Sequence, residues 1–412
     1  MEDLKQTYPD SLPYHQGGKI QIATKTPLNS EHDLSLAYSP GVAVPCKEIQ
    51  NNPDTAYDYT SKHNLVAVIS NGTAILGLGD IGALAGKPVM EGKAALFKKF
   101  AGIDAFDIEI DEKNPDKFIE IVKAISPTFG GINLEDIKAP DCFYIEQKLK
   151  KELNIPIMHD DQHGTAVISA AGIINGAKIA NKAIEDLKVV VLGAGGAAIA
   201  CAKIAKKLGA KEIIMFDSKG AITTHRKDNL NDFKKEFIIN QEINTYQEAL
   251  KGADVVLGLS RGDILCAKDI EAMNPNPMIF VMSNPIPEIE PKIIKEVRPD
   301  AIIATGRSDY PNQINNLLGF PYIFKGALKV RAKCINKEMK IAAAYALAEL
   351  ARKEIPKDLK AKLEQIHNHK FVFGKEYLIP SPFDTRLQDF ISNAVAQAAI
   401  DSGVARVTDA RV

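Results

Sequence analysis

Short aliphatic runs alternate along the chain with longer segments in which apolar residues recur every three to four positions, a pattern that predicts strands and helices in turn. From Leu65, LVAVIS and AILGLG read as strands separated by the Asn71-Gly72 turn signal. A helical EGKAALFKKFAG follows, then the strand DAFDIEI and an amphipathic helix over 115–126. TFGGINLED predicts a strand ending in acidic residues, and FYIEQKLKKELN another helix. IPIMHDDQHGTAVISAAGIINGAKIANK begins as a strand and passes into a long helix of small residues, suited to bridging two domains. Beyond Asp186 a second series starts: strand KVVVLG, helix AAIACAKIAKKLG, strand KEIIMFD, then strands ADVVLGL, MIFVMSN and AIIATG. Residues from Ile341 onward are rich in helical pattern, and the first forty or so are polar with little periodicity, an arm or short helical lead-in. The expected class is α/β: an N-terminal α/β domain over 1–160, a Rossmann-type doubly wound domain over 161–330, and a helical segment over 331–412 packing back on the first domain.

Composition narrows the partners. The chain has 412 residues, 45% hydrophobic and 25% charged, with a formal net charge of -1. That balance offers no global pull toward nucleic acid or an anionic membrane, so a small anionic substrate needs local charge from a metal or a few cations. The N-terminus lacks an apolar core and no run approaches membrane-spanning length, which predicts a soluble, cytoplasmic protein. Cys46, Cys142, Cys201, Cys266 and Cys334 are scattered, without a C-x-x-C pair, and read as buried reduced thiols.

Two stretches match G-x-G-x-x-[GA]: Gly77 to Gly82, and Gly193-Ala194-Gly195-Gly196-Ala197-Ala198. The pattern alone is weak, and context decides. After the first comes ALAGKP, whose Gly86 and Pro88 argue against the long helix that would hold a pyrophosphate; this match reads as a glycine-rich turn near a ligand. The second is fed by an aliphatic strand, followed by a well-patterned helix, and then by a strand ending in Asp217. There the glycines let the backbone approach a pyrophosphate, and Asp217 can accept from the adenosine ribose. Asp217 favours NAD, whereas Lys219, Arg226 and Lys227 lie close enough in sequence to meet the 2′-phosphate of NADP; of the two, NAD is the expected dinucleotide.

Acidic pairs Glu135-Asp136 and Asp160-Asp161 fall at the C-terminal ends of predicted parallel strands, where open α/β sheets place ligands. Carboxylates suit Mg²⁺ or Mn²⁺; solvated acidic turns are the alternative reading of the spacing. His159 and His163 flank the second pair and read as structural.

Tyr38-Ser39-Pro40-Gly41-Val42, the stretch Ile75 to Gly82, Glu91-Gly92-Lys93, Asn133-Leu134-Glu135-Asp136, the stretch His159 to Thr165, the fingerprint at Gly193, Ser283-Asn284-Pro285 and Asn315-Asn316 together resemble the malic enzymes, in particular the short prokaryotic type. The resemblance covers roughly 35 to 330 in the family's order. It implies a first domain that holds substrate and metal, with Glu135, Asp136 and Asp161 on the divalent cation. Lys93 would take the malate hydroxyl proton, Tyr38 would protonate C3 of enolpyruvate, and Asp160 would tune Lys93. Asn284 and Asn315 would bond substrate carboxylates or nicotinamide. Eukaryotic members carry an arginine where this chain has Ala74, and Arg307 is the expected replacement as substrate partner. The implied reaction is oxidative decarboxylation of malate to pyruvate, with oxaloacetate decarboxylation as a partial activity, in a homodimer whose arm packs on a partner subunit. Malolactic enzyme, folate dehydrogenase/cyclohydrolase and a non-catalytic nucleotide sensor are the competing readings.

Overall fold

The computed structural model describes residues 6–226, 228, 230–366 and 371–408. The N-terminal arm carries three short helices, α1 (Ser11–His15), α2 (Glu31–Ala37) and α3 (Ala43–Asn51), none with a buried side chain. It rests on the body through Lys19, whose amide donates to Glu91 and whose ammonium donates to the Pro88 carbonyl.

The first sheet contains β1 (Leu65–Ser70), β2 (Asp104–Glu109), β3 (Gly131–Leu134) and β4 (Ile157–His159), in the order β2-β1-β3-β4 and all parallel. LVAVIS is wholly buried, as a central parallel strand with both faces covered must be. AILGLG forms no strand. Leu76–Leu78 make a single 3₁₀ turn, Gly79 and Gly82 take left-handed backbone, and the pairing amounts to one bridge between Ile75 and Gly79. A run broken by two glycines finds no edge to extend.

The helix expected to stop at Gly86 and Pro88 instead runs unbroken as α4 (Ala83–Ala101). Pro88 withholds only the amide that would reach the Leu84 carbonyl, one turn from the helix start and next to a side chain 83% exposed, so water can satisfy it. Gly86 serves packing: a Cβ there would lie 2.7 Å from Cδ1 of Ile75. Met90, Ala94, Phe97 and Ala101 form the buried stripe, and Lys93 lies on that same stripe. Helices α5 (Pro115–Ile125) and α6 (Asp141–Glu152) complete this layer.

From β4 the chain enters α7 (Asp160–Ala180), the long bridging helix, which is buried along most of its length. Its small residues permit close approach to the second sheet. A Cβ on Gly172 would lie 2.9 Å from the Phe280 ring, and one on Gly176 would lie 2.5 Å from Sδ of Met278. That sheet holds β5 (Lys188–Leu192), β6 (Glu212–Asp217), β7 (Gly220–Ala221), β8 (Val255–Gly258), β9 (Met278–Val281) and β10 (Ile302–Thr305), ordered β10-β9-β8-β5-β6-β7. All pairs are parallel except β6 with β7, and helix α8 (Gly196–Leu208) follows β5. This is the doubly wound order, with its switch point between β5 and β8.

After β10, α9 (Phe320–Lys329), α10 (Lys337–Arg352) and α11 (Leu387–Asp401) pack on one another, with α9 against α4 and α10 against α7. Phe320 and Phe324 pack edge-on against Phe97 of α4, with ring centroids 4.7 and 5.4 Å away. One contiguous core therefore spans both sheets, and emptying the Phe97 position would cost about 3–5 kcal/mol. Among the described residues no helix is long and apolar enough to cross a membrane. Cys142 and Cys201 are buried, but Cys46 and Cys266 are exposed, which corrects the expectation of five buried thiols.

Candidate active site

Strand register builds the centre. Leu134 of β3 pairs with His159 of β4, so the next two residues of each strand, Glu135-Asp136 and Asp160-Asp161, emerge side by side at one sheet edge. The Glu135 amide is still held by the Ile69 carbonyl, whereas Asp136 turns into left-handed backbone (φ 52°), which Asp tolerates better than most residues. Its amide donates to Oδ2 of Asp161 at 2.7 Å. Ligand oxygens of Glu135, Asp136 and Asp161 all lie within 4.8 Å of one another. Asn133 fixes the Glu135 carboxylate from behind, Nδ2 to Oε2 at 2.7 Å.

Lys93 reaches this group from α4. Its Nζ lies 2.7 Å from Oδ2 of Asp160, 2.8 Å from Oε1 of Glu135 and 4.3 Å above the Phe320 ring. Burial pulls the ammonium pKa down, but Asp160, Glu135 and Asp161 outweigh it and hold Lys93 well above its ordinary value. Glu135, Asp136, Asp160 and Asp161 are all pushed up, chiefly by burial and then by repulsion among carboxylates, with Lys93 opposing. One ammonium does not balance four crowded carboxyls, three of them buried and that of Asp161 half-buried. Oδ2 of Asp136 is also buried without a hydrogen-bond partner. Hard oxygen donors, a shortfall of positive charge and an orphaned acceptor fit a divalent cation.

The dinucleotide side lies next to it. Gly193 has φ 121°, and a Cβ there would come 2.4 Å from the carbonyl oxygen of Leu259, just past the end of β8 across the switch point. Gly195 precedes α8 with open space where its Cβ would be, leaving the helix N-terminus approachable by phosphate; Ala194 and Ala197 flank it and Ala198 is buried. A Cβ on Gly196 would lie 3.2 Å from Gln162, which follows Asp161 directly. Asn284, just past β9, stands between the domains: a Cβ on Gly306 would meet its Nδ2 at 2.8 Å, and one on Gly77 its carbonyl oxygen at 3.5 Å. Asn315 caps a short turn through the Leu317 amide, beside Asn316, which touches α7 at Gly164.

Other expectations are not met by the geometry. Tyr38 is 80% exposed, and among the described residues its hydroxyl has no hydrogen bond in this chain, so it does not join Lys93. The Arg307 guanidinium is clamped on Asp309, Nε to Oδ1 at 2.9 Å and Nη2 to Oδ2 at 2.6 Å, which uses up the fork that would grip a substrate carboxylate. Asp217 is not free either: it accepts from Arg226 at 2.8 Å, Lys234 at 2.7 Å and the Lys219 amide at 2.9 Å. Lys227 lies outside the described residues.

Sequence reasoning missed several supports. Glu146 accepts from Nε2 of His163 (2.9 Å) and from the His159 amide (3.0 Å), holding the turn that presents Asp160 and Asp161. Gly164 makes room for Asp160 one helical turn earlier, and Phe320 floors Lys93. The Lys93 signal was available: a lysine in phase with Met90, Phe97 and Ala101 falls on the core face.

Fold and site together define a two-domain α/β protein, with a Rossmann-type sheet facing a buried carboxylate–lysine centre suited to a metal. The chain belongs to the malic enzyme family. A family model described as "Malic enzyme, N-terminal domain" matches residues 17–150, and "Malic enzyme, NAD binding domain" matches 162–372. The chain is 56% identical over 407 residues to the NADP-dependent malic enzyme of Salmonella typhimurium, covering 98% of this chain and 53% of that one. It therefore spans about half the length of that relative. With the NADP-dependent malic enzyme of Halomonas elongata identity is 52% over 401 residues, 96% of this chain and 94% of the other. The crystal structure of malic enzyme from Pyrococcus horikoshii superposes with a TM-score of 0.89 at 44% identity, covering 98% and 92%.

Proposed function

We propose that this chain oxidises L-malate and releases CO₂ to give pyruvate, transferring the hydride to a nicotinamide dinucleotide co-substrate. The observation that carries the reading is the meeting of Lys93 with Glu135, Asp136, Asp160 and Asp161 at the edge where the two domains face each other. Glu135, Asp136 and Asp161 would hold Mg²⁺ or Mn²⁺. When bound, the cation supplies a Lewis acid at the substrate C2 oxygen and offsets the carboxylates that otherwise keep Lys93 protonated. Lys93 then accepts the C2 hydroxyl proton as hydride leaves C2, while Asp160 keeps its Nζ aimed. Loss of CO₂ leaves an enolate whose C3 must be protonated by a general acid. Asn284 and Asn315 orient the substrate and nicotinamide.

Tyr38 is the acid we assign, delivered across a homodimer. The arm exposes Tyr8, Leu12, Tyr14, Ile22, Leu34, Leu36 and Val44 along with Tyr38. That much apolar surface on helices without buried faces calls for a second copy. The partner subunit's Tyr38 would then complete this site. A monomer mass by light scattering at working concentration contradicts this assignment.

NADP is the dinucleotide we read. Arg226 and Lys234 surround Asp217 with two cations and occupy the oxygens that would hold an unmodified ribose, and the two relatives described above are both named NADP-dependent.

The test is absorbance at the reduced-nicotinamide band with malate, Mn²⁺ and each dinucleotide, repeated with EDTA. Pyruvate formed one for one with NADPH, and lost with chelator, is expected. Lactate without net reduced nicotinamide assigns the malolactic reaction instead, and no turnover of malate rejects both.

A further inference from the structure

Behind the carboxylate centre, α7, α8 and α10 enclose a cavity of about 300 Å³. Each helix contributes one stripe: residues 163 and 166, residues 200 to 207, and residues 337, 340 and 341, spacings that put side chains on a common face. The rim is basic, with Lys203 and Lys207 from α8 and Lys337 and Lys340 from α10. The floor is apolar, formed by Ala166, Ile204 and Ile341. Two acids face the rim: Glu236 pairs with Lys203 at 2.8 Å, and Glu338 lies 3.7 Å from Lys337. Among the described residues Lys207 and Lys340 form no ion pair.

Lys340 is drawn inward onto Nδ1 of His163 at 3.1 Å, a neutral acceptor, with Glu146 and Glu338 favouring its charge from beyond ion-pair distance. Burial, with Lys150 adding repulsion, pushes its pKa down to about 7. Four lysines around an apolar floor, with two of them unpaired, make a receptor for negative charge. The cavity is not the pyrophosphate site: Lys203 lies seven residues along α8 from Gly196, about 10 Å at 1.5 Å per residue.

We propose that this cleft is an effector site for a small organic anion bearing two or more negative charges on a short apolar body, felt at the catalytic centre through His163. The connection is a chain of hydrogen bonds, from Lys340 to His163, from His163 to Glu146, and from the His159 amide to the same Glu146 carboxylate. His159 immediately precedes Asp160, so an anion that reorients Lys340 changes what holds the turn presenting Asp160 and Asp161. The transmission half rests on the catalytic reading above; the binding half does not.

The experiment is calorimetric titration of the full chain, metal-free and with NADP present, using phenyl phosphate in one arm and propane-1,2,3-tricarboxylate in the other. One saturable site per chain is expected. Affinity should fall about tenfold or more in Lys207→Glu/Lys337→Glu, whose exposed positions leave Tm nearly unchanged. The arm that binds tighter identifies phosphate or carboxylate as the recognised group. The better probe should also shift the malate KM at least twofold in the wild type and not in the variant. No saturable heat, or equal affinity in the variant, overturns the site. Binding without a kinetic shift overturns the transmission. A chain that fails to oxidise malate still gives a readable titration, so the two proposals fail separately.

Discussion

A Cβ on Gly164 would lie 2.2 Å from Oδ1 of Asp160 and 2.6 Å from Cβ of Asn316. The carboxylate that bonds Lys93 thus folds back over the first turn of α7 into space that only glycine leaves open. Gly164→Ala should displace Asp160 and lower kcat about 100-fold, with a stability loss of about 1–3 kcal/mol. Steady-state kinetics beside thermal melts check this, and near-normal kcat would mean that Asp160 does not aim Lys93.

Metal binding can be read without turnover. Saturating Mn²⁺ should raise the wild-type Tm by about 3 °C, because the cation binds only the folded state. Asp136→Asn should lose that increment while its metal-free Tm stays at or above the wild-type value, since the substitution removes one of the crowded carboxylates.

Arg226→Ala and Lys234→Ala should each raise the KM for NADP about tenfold or more while changing that for NAD little. Their loss would also free Asp217 to accept ribose hydroxyls. Equal effects on both dinucleotides would place the 2′-phosphate elsewhere.

Glu109 supplies a pH signature outside the active centre. Burial, then its contacts with Asp107 on the same face of β2, push its carboxyl up to about 7 from 4.5, against the pull of Lys87. The folded protein therefore retains a proton that the unfolded chain releases, so stability falls as pH rises from about 4.5 to 7 and stays lower above. Glu109→Gln should remove that slope and raise Tm by about 1–2 °C at pH 8. A melt series across pH decides it.

Much of the fold was legible because aliphatic strands and amphipathic helices announce themselves by period. The parallel register of LVAVIS, GINL and IMH then brings the two acidic pairs together, as their positions at strand ends imply. What escaped depended on partners distant in sequence. Pro88 in isolation ends a helix, but packing of α4 against the sheet outweighs one missing hydrogen bond. AILGLG has the composition of a strand and no neighbour to pair with. Arg307 was expected on a substrate carboxylate because Asn315 is near in sequence, yet Asp309 is nearer still, two residues along with the right fork geometry. Arg307→Ala should consequently leave the malate KM within about twofold of wild type. Asp217 had the fingerprint offset for ribose, and nothing local announced Lys234 as its neighbour.

The aromatic floor beneath Lys93 sets the order in which this centre can come into being. Phe320 is made after the whole second sheet, so while the chain emerges from a ribosome the lysine's surroundings stay incomplete until all ten strands exist. A fragment ending before Phe320 would carry every proposed cation ligand and still lack the ring beneath Lys93 and its edge-on contact with Phe97. The proposed centre therefore cannot be cut out and grafted with its first domain alone.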